Sequence, residues 1–269
     1  GIPYRVLKGA AVAHLAYPSP ELRSFGDVDL LVPSEHLDAA VAAFVRVGLR
    51  RRTAEVRAGF DRRFGKGVTL LTTEGWELDL HRMLAPGPYG YGIDAGSLFA
   101  APPADLPLAG RTLPCLPASE MFLHACCHAV LGDAEPRWSA LRDVVQLAHH
   151  PDIEIDAILE RARAWKIEAV VARAVDVAGK RLGVRGAGDI SVWAGGVRPS
   201  RRDEHLLALH GGQRSYALLA AASLRTLPTW ADRTRFALSL AFPSSSGRRP
   251  LAERLRRGLR VVVGKPVPR

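Results

Sequence analysis

Over the first hundred residues, short apolar runs of strand length alternate with longer stretches whose apolar positions recur at helical spacing. That alternation predicts an α/β or α+β unit. Ile2 to Leu7 reads as a strand, and Gly9 to Tyr17 as a small apolar helix closed by Pro18, Ser19 and Pro20. Asp27 to Val32 reads as a second strand. Ser34 is placed to cap a helix running to about Val47, where Gly48 ends it. Two more strands follow, Val68 to Thr72 and Trp76 to His81, joined by the turn residues Thr73, Glu74 and Gly75. The pattern thus predicts four strands and two helices.

Pro86 to Pro117 is rich in proline and glycine and reads as a connecting stretch. Beyond it the apolar spacing becomes helical, over Ser119 to Leu131, Trp138 to His149, Ile155 to Trp165 and Glu168 to Leu182. Gly183 to Pro199 reads as a loop, followed by helices over Asp203 to Ala222 and Trp230 to Leu240. The expected fold class is α+β, a small mixed sheet with flanking helices followed by an all-helical C-terminal domain. The expected division is a catalytic domain at 1–112, a helical domain at 113–242 and a basic tail at 243–269.

Composition narrows this picture. The 269 residues are 48% hydrophobic, enough to fill a core. There is neither an apolar run of membrane-spanning length nor a leader-like N-terminus, so a cytoplasmic protein is the expectation. The chain opens on Gly1 and is apolar almost at once, which reads as a fragment of a longer chain. Cys115, Cys126 and Cys127 are odd in number and carry no metal-binding spacing, so buried thiols are expected.

The net charge of +10 is concentrated at one end. Residues 1–200 carry 23 basic and 23 acidic residues, whereas residues 201–269 carry 14 against 4. Such an end can attract phosphate, nucleic acid or an anionic surface. Around Leu251, Leu255 and Leu259, the residues Arg254, Arg256, Arg257 and Arg260 outline a basic amphipathic helix, but Gly258 weakens it and no aromatic residue stands near for stacking. A solvated terminal helix is the plainer reading.

The chemistry concentrates in Arg23 to Val32. In a strand, alternate residues share a face, so Asp27 and Asp29 project together while Val28 and Leu30 are expected in the core. Two like charges repel at that spacing unless a cation lies between them, and hard carboxylate oxygens suit magnesium. Glu77, Asp79 and His81 repeat the pattern on a later strand. Pairing of the two strands would bring Asp79 to Asp27 and Asp29, a set able to hold two metals roughly 3.5 to 4 Å apart. Lys8 and Gly9, where a strand runs into a helix, make a candidate phosphate cradle. His124 and His128 lie one helical turn apart, with Asp143 one helix further on; a zinc site would need a third ligand, and no HExxH pattern accompanies them. Contact with nucleotide or acceptor and ordinary helix packing both remain open for this pair.

Taken together, Leu7-Lys8-Gly9, Arg23 followed by Asp27-x-Asp29, and Leu78-Asp79-Leu80-His81 resemble the uncharacterised bacterial nucleotidyltransferase family of the polymerase-β superfamily. The resemblance covers roughly residues 1–150. It implies Asp27, Asp29 and Asp79 as ligands of Mg2+, with Mn2+ as an alternative, and Asp79 as base toward the acceptor hydroxyl. Lys8 and Arg23 would face the nucleoside triphosphate, ATP first among them; Gly9, His81 and His128 are the further candidate nucleotide contacts, with a structural hydrogen bond beside the metal site equally open for His81. The implied activity transfers a nucleoside monophosphate to a small-molecule, peptide or protein acceptor. Two other readings stand beside it: a catalytically silent module holding nucleic acid or a protein partner through the basic C-terminus, and a template-independent RNA nucleotidyltransferase. Nucleic acid is not favoured.

Overall fold

A computed structural model describes residues 1–184, 188–211 and 216–244. The basic segment around Leu251 lies outside the described residues.

The chain begins with a strand, β1 (Arg5–Leu7), that passes directly into α1 (Lys8–Ala16). Next come β2 (Asp27–Leu31), α2 (Leu37–Arg46), β3 (Arg50–Arg51), α3 (Phe60–Arg63), β4 (Gly67–Leu71) and β5 (Glu77–His81). A short helix α4 (Ser97–Ala100) leads to the hairpin of β6 (Ala104–Leu108) and β7 (Arg111–Cys115). The remainder is helical: α5 (Ala118–Leu131), α6 (Trp138–Ala148), α7 (Ile155–Ala164), α8 (Glu168–Leu182), α9 (Gly188–Gly196), α10 (Arg201–His210), α11 (Tyr216–Thr226) and α12 (Trp230–Ala241). The fold class expected from the sequence is the one found, α+β with a mixed sheet and a helical C-terminal region.

The sheet has seven strands in the order β3-β4-β5-β2-β1-β7-β6, with β2/β5 and β1/β7 parallel and the other pairs antiparallel. Three of these strands were not expected, and two of them, β6 and β7, lie in the stretch read as a connector. Their prolines are the reason. Pro107 and Pro114 cannot donate to a ladder and argue against a strand, yet β6 is an edge strand and tolerates one. The turn between them holds Ala109 and Gly110 at φ 49° and 73°, a two-residue hairpin geometry that Ala-Gly announces poorly. β7 pairs with β1 and so carries the sheet through residue 112. Further on, Gly183 to Pro199 contains α9 rather than only loop, anchored by buried Ile190 despite its glycines. The single helix expected over Asp203 to Ala222 is instead α10 and α11, on either side of Gly211.

The two faces of the sheet have different partners. Val68, Leu70, Leu78 and Leu80 pack with Leu37, Ala40 and Val41 of α2. The opposite side joins the larger core, which gathers Leu7 and Leu31 with Phe122 of α5, Val144 of α6 and Val171 of α8. Val28, expected in the core, is 44% exposed near the start of β2 and stands outside the cluster packed with α2; Leu30 is half-buried. α5 is buried almost all round, consistent with a central helix. The last two helices return to the sheet, where Phe236 of α12 meets Phe60 of α3 and Phe64 just after it at ring centroids 5.9 and 5.3 Å away.

Candidate active site

The register of three neighbouring strands decides where the acids meet. On β2, Asp29 lies opposite Leu7 of β1 on one side and Asp79 of β5 on the other. Asp27 sits two residues earlier on the same face, opposite Glu77. Because Lys8 follows Leu7, the start of α1 falls beside Asp29, and the Lys8 Nζ is 2.5 Å from Asp29 Oδ1. Lys8 holds φ at 39°, a left-handed conformation that costs a lysine energy and that glycine would adopt freely. Strain kept at a functional position is a recognised feature of binding sites.

Asp29 is almost fully buried at 3% exposure. Burial alone would raise its pKa, but the hydrogen bond from His81 and the charge of Lys8 outweigh it and hold the carboxyl well below the usual range. His81 Nε2 lies 2.6 Å from the same Oδ1. Burial, followed by the charge of Lys66, pushes the His81 imidazole down to about 4, so it is neutral at pH 7 and donates from Nε2. Its Nδ1 is then a buried acceptor with no partner among the described residues. Asp27 behaves oppositely: burial first, then the neighbouring Asp29, raise its pKa. Asp79 receives a 2.5 Å hydrogen bond from Thr69, its partner across the β4/β5 ladder.

Asp29, Asp79 and His81 offer ligand atoms all within 4.8 Å of one another. The donor set fits a hard divalent cation. One oxygen of Asp29 is held by Lys8 and His81 and one of Asp79 by Thr69, while no protein partner among the described residues takes the second oxygen of either. Asp27 stands outside that close group but within electrostatic reach of both other carboxylates.

The other expected residues take distinct places. Gly9 is buried beneath Phe25, where an added Cβ would stand 2.9 Å from the Phe25 Cβ, so its small size admits the segment before β2. Arg23, expected at the triphosphate, closes its fork on Asp143 of α6, with Nε and Nη2 at 2.8 and 2.9 Å from the two carboxylate oxygens. Tyr17 donates to the same carboxylate at 2.9 Å, so Asp143 ties α6 to the segment leading into Asp27. His124 and His128 both lie in the electrostatic field of Lys8, Lys66 and His81, which places them at the acidic face; burial lowers both pKa values first, that of His128 to about 3. His124 Nε2 is buried and without a partner among the described residues.

Two residues of this constellation were not singled out from the sequence. Lys66 lies among Lys8, Asp29 and Asp79; burial and then Lys8 depress its ammonium to about 8. It sits between Gly65 and Gly67, and at Gly67 a Cβ would be 2.2 Å from the Leu80 carbonyl oxygen. Gly-Lys-Gly ahead of a strand was the available signal. Thr69 was detectable only through the β4/β5 register, which sequence spacing leaves open. No helix among the described residues is long and apolar enough to cross a membrane.

No curated protein matches this chain significantly. Among solved structures, an antigenic nucleotidyltransferase-like protein from Paracoccidioides brasiliensis overlaps 76% of this chain and 89% of its own, at 14% identity and a TM-score of 0.37. A likeness of that size carries no residue role. A family model described as an uncharacterised nucleotidyltransferase matches residues 1–183, which contain every acidic and basic residue of the site, and the chain belongs to that family.

Proposed function

We propose that this protein is a metal-dependent nucleotidyltransferase, moving a nucleoside monophosphate from a nucleoside triphosphate, ATP first among them, to an acceptor hydroxyl. The observation that carries the reading is Asp29, buried between β1 and β5 with Lys8 on one side and Asp79 in register on the other. Asp27, Asp29 and Asp79 would hold Mg2+, with Mn2+ as the alternative. When bound, such a cation neutralises charge on the attacking and leaving oxygens.

The chain's own groups divide the remaining work. The first turn of α1 has no side-chain cap and no acidic residue, leaving amide N–H groups for phosphate oxygens. Lys8 and Lys66 add positive charge at that place, and His128 offers a neutral imidazole. Asp29 has its basicity suppressed by Lys8 and His81, which leaves the role of base to Asp79 across the strand pair. Asp79 takes the proton of the acceptor hydroxyl as that oxygen bonds to the α-phosphorus and the bond to the pyrophosphate oxygen breaks. His81 positions Asp29, and Arg23 with Asp143 positions the segment carrying Asp27.

The acceptor is a small molecule, a peptide or a protein bearing a hydroxyl. Calorimetric titration with each ribonucleoside triphosphate, with and without Mg2+, tests the proposal on wild type and Asp79→Asn. Metal-dependent binding of one triphosphate, weakened in the variant, supports it. A folded wild type that binds none of the four sinks it.

A further inference from the structure

A cavity of about 500 Å3 opens where the segment Pro88 to Gly92, the corner between α7 and α8, the start of α10 and the end of α11 meet. Its size is that of a small-molecule site. Neither the three aspartates nor Lys8 or Lys66 line it, so it is separate from the acidic face.

Its floor is buried and aromatic, with Tyr89 at 7%, Trp165 at 5% and Leu206 at 7% exposure. The Tyr89 hydroxyl is buried and makes no hydrogen bond among the described residues. It lies within electrostatic reach of Asp203 and Arg202, both of which line the cavity. A buried hydroxyl without a partner is a standing cost to the fold, and a ligand that accepts from it removes that cost.

The charges at the rim are unbalanced in one direction. Glu168 pairs with Arg163 at 3.4 Å, and Asp203 is taken up in the capping box of α10 with Ser200. Both acids thus already have partners, Glu168 across the corner between α7 and α8 and Asp203 at the cap of α10. Lys166, Arg202 and Arg225 are exposed and have no ion pair or side-chain hydrogen bond among the described residues. Lys166 also stands at φ 56°, where glycine would be favoured, so a cation is kept at the corner against backbone preference.

We infer that this cavity is a second binding site, for a small anionic molecule whose phosphate or carboxylate is taken by Lys166, Arg202 and Arg225 while its body lies against Trp165 and accepts from the Tyr89 hydroxyl. An aromatic floor below a cationic rim selects a flat body bearing one anionic group. This reading does not depend on the chemistry proposed for the acidic face.

Phenyl phosphate and benzoate, titrated separately by calorimetry at fixed ionic strength, are the probes. Wild type and Asp79→Asn bind at least one of them saturably and equally well. Arg202→Gln/Arg225→Gln weakens that binding by about tenfold or more, as expected for losing charge-assisted hydrogen bonds. Tyr89→Phe keeps the ring, leaves the ligand-free protein no less stable and weakens binding severalfold. Preference for one probe assigns the anion as phosphate or carboxylate. Saturable binding of neither probe overturns the inference, as does binding that survives the double arginine variant or is lost only in Asp79→Asn.

Discussion

Asp29 and Asp79 face each other across one strand pair, yet their replacement by asparagine has different consequences for the fold. Asp29 has a side chain 2% exposed and shares one oxygen between Lys8 and His81. Asp29→Asn keeps the shape but leaves Lys8, whose side chain is 12% exposed and whose backbone is held at a left-handed φ, without its ion-pair partner. Breaking a buried ion pair from one side costs about 3 to 5 kcal/mol, and since the amide oxygen still accepts one hydrogen bond the lower end applies, about 3 kcal/mol. For a chain of this size that lowers the melting temperature by roughly 6 to 12 °C. Asp79 is only partly buried and its hydrogen-bond partner is the Thr69 hydroxyl, which can equally donate to an amide oxygen, so Asp79→Asn shifts stability by less than about 1 kcal/mol. Urea unfolding of the two variants beside wild type checks the contrast, with triphosphate binding measured on the same samples. Metal-dependent binding is weakened in both variants, but only Asp29→Asn loses stability. An Asp29→Asn protein as stable as wild type would refute the claim that Lys8 and Asp29 form a structural pair as well as a binding pair.

Two pH dependences follow from the same cluster. Lys66, depressed to about 8 by burial and by Lys8, is charged below that value and neutral above it; triphosphate affinity therefore falls by about tenfold as pH passes from 7 to above 9, one charge contact being lost. Lys66→Arg keeps its charge and flattens that fall, and a wild-type affinity constant to pH 10 would contradict the placement of Lys66 at the phosphates. On the acid side, His81 and His128 have folded pKa values of about 4 and 3 against 6.5 unfolded. Below pH 6.5 the unfolded chain binds protons that the folded chain does not, so stability falls with pH by about 1.4 kcal/mol per unit for each imidazole until the folded pKa is reached. The urea midpoint drops between pH 7 and pH 5, and His128→Gln removes one imidazole's share of that slope; equal slopes in variant and wild type would count against its burial as a neutral base.

The sequence by itself determined the elements that depend on local pattern. The alternation in Asp27 to Leu31 and Glu77 to His81 places their acids on one face whatever lies beyond, because a strand has a period of two. The helices α5 to α8 follow from apolar spacing, and their observed bounds lie within a residue of those read from it. Pairing is a different matter, since which strand lies beside which is decided by contacts distant in the chain. Only the tertiary structure put Asp79 opposite Asp29, seated Thr69 on Asp79 and extended the sheet with β7 against β1. It also turned Arg23 toward Asp143, 120 residues later, and lowered Lys66 among the acids from a loop that no periodicity marks. Those outcomes depend on burial and on partners arriving from other elements, and a local pattern of polar and apolar residues carries no record of either.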